Sequence, residues 1–357
     1  MPSIYGEKIH VSIFGQSHSA AIGVVIDGLP AGVKIDMAEL GRFMARRAPG
    51  QGKYATARKE ADLPEFVSGV VDDVTCGAPV CALIRNTDTR SGDYANLRDV
   101  PRPSHADYPA YVKFGAAHDI RGGGHFSGRL TAPLCIAGGI ALQMLRARGV
   151  NIGAHIASVG SVNDARFDAV NVSTSDFDKI AANGFPVLDW QAGEKMLAEI
   201  ESARTDADSI GGTIECAAVG LPAGLGDALF GGLEGRMSMA LFGVPAVKGV
   251  EFGNGFDCAT LRGSQNNDPF VIENGKIKTL TNNASGILGG ITTGMPLIFK
   301  VAIKPTPSIG KPQQSVSLSR MENSELVIKG RHDPCIVPRA VPVIEAAAAL
   351  ALLDVML

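Results

Sequence analysis

Several features of membrane, secreted and metal-binding proteins are missing from this sequence. It has no run of about 18 apolar residues that could cross a bilayer, and its first residues, MPSIYGEKIHVSIFG, lack the cationic and apolar blocks of a secretory signal. The six cysteines include no C-x-x-C pair. We therefore expect a cytoplasmic protein with free thiols and no structural metal.

Charge of one sign is also scarce. The chain has 33 lysines and arginines against 36 aspartates and glutamates, a formal net charge of −3. This balance gives no global attraction to nucleic acid or to an anionic membrane, so we expect neither as a partner. Any anionic ligand must be bound by local clusters of basic side chains.

Aromatic residues are few, whereas glycine is abundant: the chain has 1 tryptophan and 5 tyrosines but 43 glycines. The glycines separate short strand-like runs that hairpin signals join, as in FVIENGKIKTL (270–280), where Asn274-Gly275 favours a type I′ turn. The sheets should therefore be largely antiparallel. With helical segments between them, the pattern predicts the α+β class.

A short repeat predicts two related halves. IGVVIDGLPAGVKI (22–35) and IECAAVGLPAGLGD (214–227) both run from a strand-like segment into Gly-Leu-Pro-Ala-Gly. No low-complexity stretch or linker divides the chain. We expect a single domain over residues 1–357.

Helices are predicted at four places. Asp36 and Glu39 form a capping box before an apolar face, and the helix ends so that Arg46 and Arg47 lie on its last turn. The other helices are expected over 132–148, over 190–204 and, past Pro342, in the apolar segment VIEAAAALALLDVML. This last helix should be buried or lie at a subunit interface.

The nine residues RGGGHFSGR (121–129) admit three interpretations. Three consecutive glycines let backbone N–H groups converge on an anion, and the helix that follows adds a favourable dipole. The histidine and serine suit a catalytic loop, while glycine runs also form ordinary turns. The motif alone does not decide among an anion cradle, a catalytic loop and a turn.

Basic and titratable side chains recur in loops stiffened by glycine and proline. Guanidinium groups bind carboxylate or phosphate in bidentate fashion, and histidine and aspartate can transfer protons. The chain has neither a G-x-x-x-x-G-K-[ST] loop nor a strand followed by G-x-G-x-x-G, which disfavours ATP and Rossmann-type binding. The candidates are Arg46, Arg47, Lys53 and Arg58 in RRAPGQGKYATAR, His105 in RPSHADY, Lys304, Thr306 and Ser308 in KPTPSI, and Arg331, His332 and Asp333 in GRHDPC.

In their order and spacing, these segments resemble chorismate synthase over essentially the entire chain. The matching stretches are GQSHS, RRAPGQ, RPSHADY, RGGGHFSGR, DADSIGGTIEC with GLPAGLGD, VPAVKGVEFGNGF, SGILGGITTG, KPTPSI and GRHDPCIVPRAVPV. The resemblance implies an anti-1,4-elimination of phosphate and a C6 proton from 5-enolpyruvylshikimate 3-phosphate, which gives chorismate in the shikimate pathway. It also implies reduced FMN without net redox change, helices sandwiched between antiparallel sheets, and a homotetramer.

The resemblance implies roles for individual residues as well. His18 in GQSHS is the expected acid for the departing phosphate, with Ser17 beside it. His105 protonates the reduced flavin or holds it in its anionic form, Asp333 takes part in proton removal, and Ser127 completes the catalytic set. The expected binding residues are Arg47, Arg129 and Arg331 for substrate; His125, Phe126, Ser127, Pro245, Ala246, Gly289, Lys304, Pro305, Thr306, Pro307, Ser308 and Arg331 for flavin; and Arg47 and Lys53 at the family's NADPH positions.

Two motifs depart from the family pattern. GQSHS replaces the usual G-E-S-H-G, so Gln16 and Ser19 remove a charge and a flexible glycine next to the expected acid. In RGGGHFSGRLT, His125 stands where many relatives have arginine, and Leu130 also differs. Ser127 and Arg129 are retained in the same motif, which indicates that the site survives.

Two alternative functions therefore stay open beside the main prediction. One is a flavin-binding relic that has lost its chemistry, and the other is a different phosphate-releasing enzyme on the same scaffold. A relic would need none of His18, His105 and Asp333, and all three are present. Because the chain shows no extra reductase domain, we expect an external source of reduced flavin.

Overall fold

A computed structural model describes residues 3–50, 62–86, 97–328 and 333–357. Within these residues the helices are α1 (Met37–Arg47), α2 (Asp107–Phe114), α3 (Thr131–Arg146), α4 (Thr174–Ala182), α5 (Trp190–Thr205), α6 (Leu233–Phe242), α7 (Gly263–Asn266) and α8 (Val337–Met356). The strands are β1 (Ile4–Tyr5), β2 (His10–Gly15), β3 (Ala21–Asp27), β4 (Glu65–Ser68), β5 (Val70–Val71), β6 (Val74–Thr75), β7 (Val80–Arg85), β8 (Asn151–Val159), β9 (Val162–Asn163), β10 (Gly212–Val219), β11 (Val247–Phe252), β12 (Phe270–Glu273), β13 (Lys276–Thr279), β14 (Ile287–Leu288), β15 (Ile291–Thr292), β16 (Leu297–Ile303), β17 (Gln313–Ser317) and β18 (Glu322–Leu326).

Two five-stranded antiparallel sheets enclose the long helices. Their strand orders are β1-β2-β3-β7-β4 and β11-β16-β10-β8-β9. Helix α3 packs on the first sheet through β3 and β7, α8 packs on the second through β8 and β10, and the two helices pack on each other. The predicted α+β class, with helices sandwiched between antiparallel sheets, is confirmed.

The contact between α3 and α8 forms the centre of the core. The two helices approach so closely at Gly138 that a Cβ added there would lie 2.2 Å from the Cβ of Ala346. The window Gly128–Arg146 is long and apolar enough to cross a membrane, contrary to the sequence expectation, but 78% of it is buried inside the protein. Its apolar character is that of a core helix, because both sheets contribute to one hydrophobic cluster around it.

The sequence repeat corresponds to equivalent places in the two sheets. Strands β3 and β10 carry the two copies, and each is the middle strand of its sheet. Each is followed by a glycine with φ of +86°, Gly28 and Gly220. A Cβ there would lie 2.2 Å from the carbonyl oxygen of Lys8 and 2.1 Å from that of Gly149, respectively. The two halves predicted from the repeat are therefore present.

Two details of the helix predictions are wrong. At α1, Asp36 caps the Glu39 N–H at 2.8 Å, but the Asp36 N–H donates to Gln143 rather than to Glu39, so the capping box is not reciprocal. Helix α8 begins at Val337, before Pro342, because Pro338 in its first turn already starts the helix and Pro342 is accommodated inside it. Burial of α8 is confirmed.

The second sheet contains a fully buried charge cluster away from the cavity described below. His155 is held between two carboxylates, with Nδ1 2.9 Å from Asp164 and Nε2 3.0 Å from Glu215. Burial alone would lower the pKa of His155, but the hydrogen bonds and charges of the carboxylates outweigh it and raise the pKa. The imidazolium therefore neutralises part of the charge that two buried carboxylates bring into the sheet.

We expect the His155→Ala variant to lose about 3–5 kcal/mol of unfolding free energy, because it leaves two buried carboxylates without their shared cation. Since the folded-state pKa of His155 is raised, this stabilisation is complete below its unfolded value of about 6.5 and is lost as the pH rises through the folded value. Urea unfolding across this range measures the difference. An equal loss at every pH would contradict the charge-based explanation.

Candidate active site

A cavity of about 880 Å³ lies where the first sheet, the glycine-rich segment, the α6–β11 connection and the start of α8 meet. Pockets for small ligands usually measure about 300–1,000 Å³, so this one lies in the upper part of that range. Among the described residues, the lining includes one carboxylate, Asp333, against six basic side chains: Arg47, Arg102, Arg129, Lys248, Lys304 and Arg339. Such a wall attracts polyanionic ligands.

The glycine-rich segment forms a turn between two histidines. Its glycines have positive φ values of 60°, 85° and 57° from Gly122 to Gly124. A Cβ on Gly122 would lie 2.3 Å from the His18 ring, and one on Gly123 would lie 3.2 Å from His105 Nε2. The glycines are therefore needed because both imidazoles pack against this backbone, rather than because the turn opens a helix, since α3 begins only at Thr131.

His105 is oriented by a buried ion pair. Its Nδ1 lies 2.6 Å from Asp107 Oδ1, and Arg102 donates two hydrogen bonds to the same carboxylate at 2.7 and 2.8 Å. Burial opposes ionisation of Asp107, but the hydrogen bonds from Arg102 and His105 outweigh it and hold the Asp107 pKa well below its ordinary value. Because Asp107 is a carboxylate, Nδ1 must carry the proton, which leaves Nε2 as an acceptor beside Gly123.

Burial also sets the charge of His105 itself. It lowers the His105 pKa below its ordinary value, and the hydrogen bond to Asp107 acts in the opposite sense. His105 is therefore neutral near pH 7. In this state the imidazole can take a proton at Nε2 and release it again.

Arg47, Arg129 and Arg339 form another part of the cavity wall. The side chains of Arg47 and Arg129 are each 4% exposed. Burial, with the nearby guanidiniums of Arg339 and Arg129, lowers the Arg47 pKa to about 10, so Arg47 stays charged at neutral pH. Arg339 donates to Asp333 at 2.6 Å and to the Arg47 carbonyl at 3.1 Å, which connects the predicted base to this wall.

The loop after β16 supplies polar groups on another side of the cavity. Thr306 Oγ1 is buried and has no hydrogen-bond partner within the described ranges. Burial lowers the pKa of Lys304, and the neighbouring charge of Lys248 adds to this effect. Ser308 accepts a hydrogen bond from Arg102 at 3.3 Å, which connects this loop to the His105 network.

His125 is held by two hydrogen bonds within the protein. Its Nδ1 lies 2.7 Å from the carbonyl oxygen of Gly15, and its Nε2 lies 2.7 Å from Ser3 Oγ. Gly15 ends β2, the strand that leads to His18. His125 thus joins the glycine turn to the backbone that carries the expected acid.

The structure brings most of the predicted site residues to one cavity. The lining includes Arg47, His105, His125, Phe126, Ser127, Arg129, Pro245, Ala246, Lys304, Thr306, Pro307, Ser308 and Asp333. Ser17 and His18 lie immediately behind Gly122 and do not form the wall, and neither Pro305 nor Gly289 lines the cavity. Lys53, Arg58, Arg331 and His332 lie outside the described residues.

Sequence reasoning did not single out five charged residues of this site. Arg102 and Asp107 flank His105 in the quoted motif, Arg339 follows Asp333 in another, and Lys248 lies in VPAVKGV, so their motifs were a usable signal. Asp62 stands in the uninformative stretch EADLPEF and becomes recognisable only through its contacts. In the described ranges, no His, Cys, Asp and Glu side chains are grouped to hold a metal ion.

Comparisons with known proteins agree over the whole chain. A family model described as chorismate synthase matches residues 9–357. Chorismate synthases from Lancefieldella parvula and Thermococcus gammatolerans are each 47% identical, over 99% and 98% of this chain and 96% of their own lengths. A crystal structure of chorismate synthase superposes with a TM-score of 0.77 at 26% identity, over 98% of this chain and 92% of that one.

The fold and the cationic cavity beside the glycine turn thus belong to a lyase that acts on a phosphate-bearing substrate. More particularly, the chain belongs to the chorismate synthase family. Its role is the formation of chorismate in the shikimate pathway.

We expect the Gly122→Ala variant to fold but to lose most of its turnover, because the added Cβ would displace the His18 ring and Ser17 Oγ, which lie 2.3 and 2.5 Å from its position. Gly115→Ala is the control for backbone strain: Gly115 has a similar φ of 59°, and no heavy atom lies within 4 Å of its added Cβ. Turnover and thermal unfolding, measured for both variants, separate the steric effect on His18 from backbone strain. Equal losses of activity in the two would contradict a steric effect on His18.

Proposed function

We propose that this chain binds 5-enolpyruvylshikimate 3-phosphate and reduced FMN together in the cavity and catalyses the anti-1,4-elimination without net redox change. The observation that carries the proposal is a cavity lined by His105 and six basic side chains, with His18 packed directly behind the glycine turn that borders it. The substrate is a phosphate ester with two carboxylates, and its transition state develops further charge on the departing phosphate. A prearranged cationic wall stabilises that charge.

The cavity has chemistry that suits a flavin. Phe126, Pro245 and Ala246 give an apolar surface for a planar ring, and the buried Thr306 hydroxyl is available as a donor or acceptor. When bound, reduced FMN supplies electron density to the substrate and takes it back. The residues proposed to hold it are His125, Phe126, Ser127, Pro245, Ala246, Gly289, Lys304, Pro305, Thr306, Pro307, Ser308 and Arg331.

Arginine side chains hold the substrate. Arg47 and Arg129 face the cavity from one wall with their guanidiniums fixed by buried partners, which makes them suited to bind phosphate or carboxylate. Arg331 completes the proposed substrate set. Arg47 and Lys53 also occupy the family's NADPH positions.

Three groups govern protons. His18, with Ser17 beside it, gives a proton to the leaving phosphate, and Ser127 supports the same step. His105 keeps one proton on Nδ1 through Asp107 and exchanges the other at Nε2. Asp333, fixed by Arg339, takes part in removal of the C6 proton. Placing these groups in separate loops lets each keep its own protonation state.

We propose in addition a homotetramer whose contacts bury exposed apolar side chains. The hairpin β12–β13 exposes Phe270, Ile272 and Ile277 by 65%, 81% and 71%, and Phe230 is fully exposed. Apolar surface of this kind marks contacts with other chains.

The chain works as one domain over residues 1–357, because one hydrophobic cluster joins both sheets. It operates in the cytoplasm with flavin reduced elsewhere.

An anaerobic assay tests the proposed function. Purified protein receives substrate with reduced FMN, with oxidised FMN or with no flavin, while chorismate absorbance and phosphate are followed. We expect equal amounts of both products with reduced FMN alone. Product formation without flavin, or none by folded protein that binds reduced flavin, would overturn the proposal.

A further inference from the structure

Asp62 connects the two arginines proposed to hold the substrate. Its carboxylate accepts a hydrogen bond from Arg47 Nη1 through one oxygen and from Arg129 Nη1 through the other. The Asp62 side chain is fully buried, and each arginine side chain is 4% exposed. One carboxylate thus holds two buried guanidiniums side by side.

This carboxylate lies behind the arginines and not in the ligand space. Arg47 and Arg129 line the cavity, whereas Asp62 does not. Each guanidinium has a second fixed contact, Arg47 Nε to Thr131 Oγ1 at 3.2 Å and Arg129 Nε to Asn86 Oδ1 at 3.3 Å. The two guanidiniums are therefore fixed at the cavity wall by Asp62, Thr131 and Asn86, and we call the pair of hydrogen bonds to Asp62 the clamp.

Charge explains why such a clamp is needed. Two guanidiniums buried next to each other repel, and the charge of Arg129 is one of the causes that lower the Arg47 pKa, which Asp62 opposes. With Asp62 the three groups carry a net charge of +1 and can stay close together. Without it, the two cations would separate and lose the paired geometry that suits one anionic group.

We infer that Asp62 is a positioning residue that holds Arg47 and Arg129 as a pair for one anionic group of the substrate. The inference rests on the proposed function of this cavity. The inference predicts that substrate affinity falls when the charge of Asp62 is removed, because the clamp is lost. Coulomb attraction alone predicts the opposite, since removing a negative charge near an anion site should strengthen anion binding.

The backbone at Asp62 supplies a matched substitution. Its φ is +48°, in the left-handed region that asparagine and glycine tolerate. Asp62→Asn therefore keeps the shape and the backbone preference and removes only the charge. Asp62→Gly keeps the backbone and leaves space for a small carboxylate.

The test measures substrate affinity of the FMN-loaded protein by calorimetry, together with KM and kcat in the anaerobic assay. We expect Asp62→Asn to raise the substrate Kd and KM by about tenfold or more, with FMN affinity within a few-fold of wild type. Formate, but not chloride, should restore much of the affinity of Asp62→Gly. Asp164→Asn, which removes a buried carboxylate partner of His155 outside the cavity, controls for lost stability and should leave the substrate Kd unchanged.

Three results would overturn the inference. If Asp62→Asn binds substrate as tightly as wild type, or more tightly, the clamp is not needed. The same conclusion follows if formate improves substrate binding by Asp62→Gly no more than chloride does. An equal rise of the substrate Kd in Asp164→Asn would show that the weaker binding by Asp62→Asn comes from lost stability. Wild-type protein that binds no substrate would overturn the proposed function itself, and this outcome is seen before any variant is measured.

Discussion

Replacement of His18 by alanine is expected to lower turnover by about 10²-fold or more, the usual contribution of a general acid. Phosphate leaves far more easily when its bridging oxygen receives a proton, and alanine cannot supply one. Flavin affinity should change little, because the His18 ring packs behind Gly122 and does not form the cavity wall. Anaerobic kcat values, with FMN titrations in parallel, measure both effects.

His10→Ala is the matched control for this variant. His10 begins strand β2, the strand that leads to His18, but its side chain is exposed and lies outside the cavity. It should keep wild-type turnover. If His18→Ala keeps a wild-type rate as well, the role of His18 as acid is wrong, although membership of the family is unaffected.

Loss of His105 is expected to have an effect of similar size, about 10²-fold or more on turnover. His105→Ala removes the Nε2 acceptor that lies against Gly123. Asp107→Asn is the more informative variant, because it keeps the imidazole but removes the carboxylate 2.6 Å from Nδ1 that fixes the tautomer. The maximum kcat of the pH profile should therefore be lower than that of the wild type in both variants.

The pH dependence of the rate separates loss of the imidazole from loss of the carboxylate that fixes its tautomer. Asp107 favours the imidazolium, so its removal lowers the His105 pKa further below the ordinary value. If neutral His105 is the active form, the acidic limb of the Asp107→Asn rate profile moves to lower pH. Asp176→Asn, at an exposed helix terminus, is the control and should keep the wild-type profile. A limb that moves to higher pH in Asp107→Asn would contradict this electrostatic account.

Local signals predicted much of the fold. Asn274 and Gly275 have φ values of 50° and 72°, as the predicted type I′ hairpin turn requires, because the preference of this pair is independent of the rest of the chain. The start of α8 was misplaced because proline is usually read as a boundary. Here burial of α8 on both sides of Pro342 outweighs the hydrogen bond that Pro342 cannot donate.

Individual contacts within the site were predictable only where both partners lie close together in the sequence. Arg102, His105 and Asp107 lie within one short motif, whereas Asp62 meets Arg129 across 67 positions of sequence. The glycine run left an anion cradle, a catalytic loop and a turn open as interpretations, and only the fold shows that the missing side chain of Gly122 makes room for His18. Contacts of this kind depend on how distant segments pack, which no local pattern encodes.

The most informative experiment on this site is a structure of the protein with oxidised FMN and 5-enolpyruvylshikimate 3-phosphate bound. The flavin ring should lie against Ser127 and the loop of Lys304 to Ser308, with the substrate phosphate or carboxylates hydrogen-bonded to Arg47 and Arg129. His18 and His105 should lie on either side of the glycine turn next to the two ligands. Ligands bound outside this cavity, or bound within it with both arginines turned away from the substrate, would contradict the account.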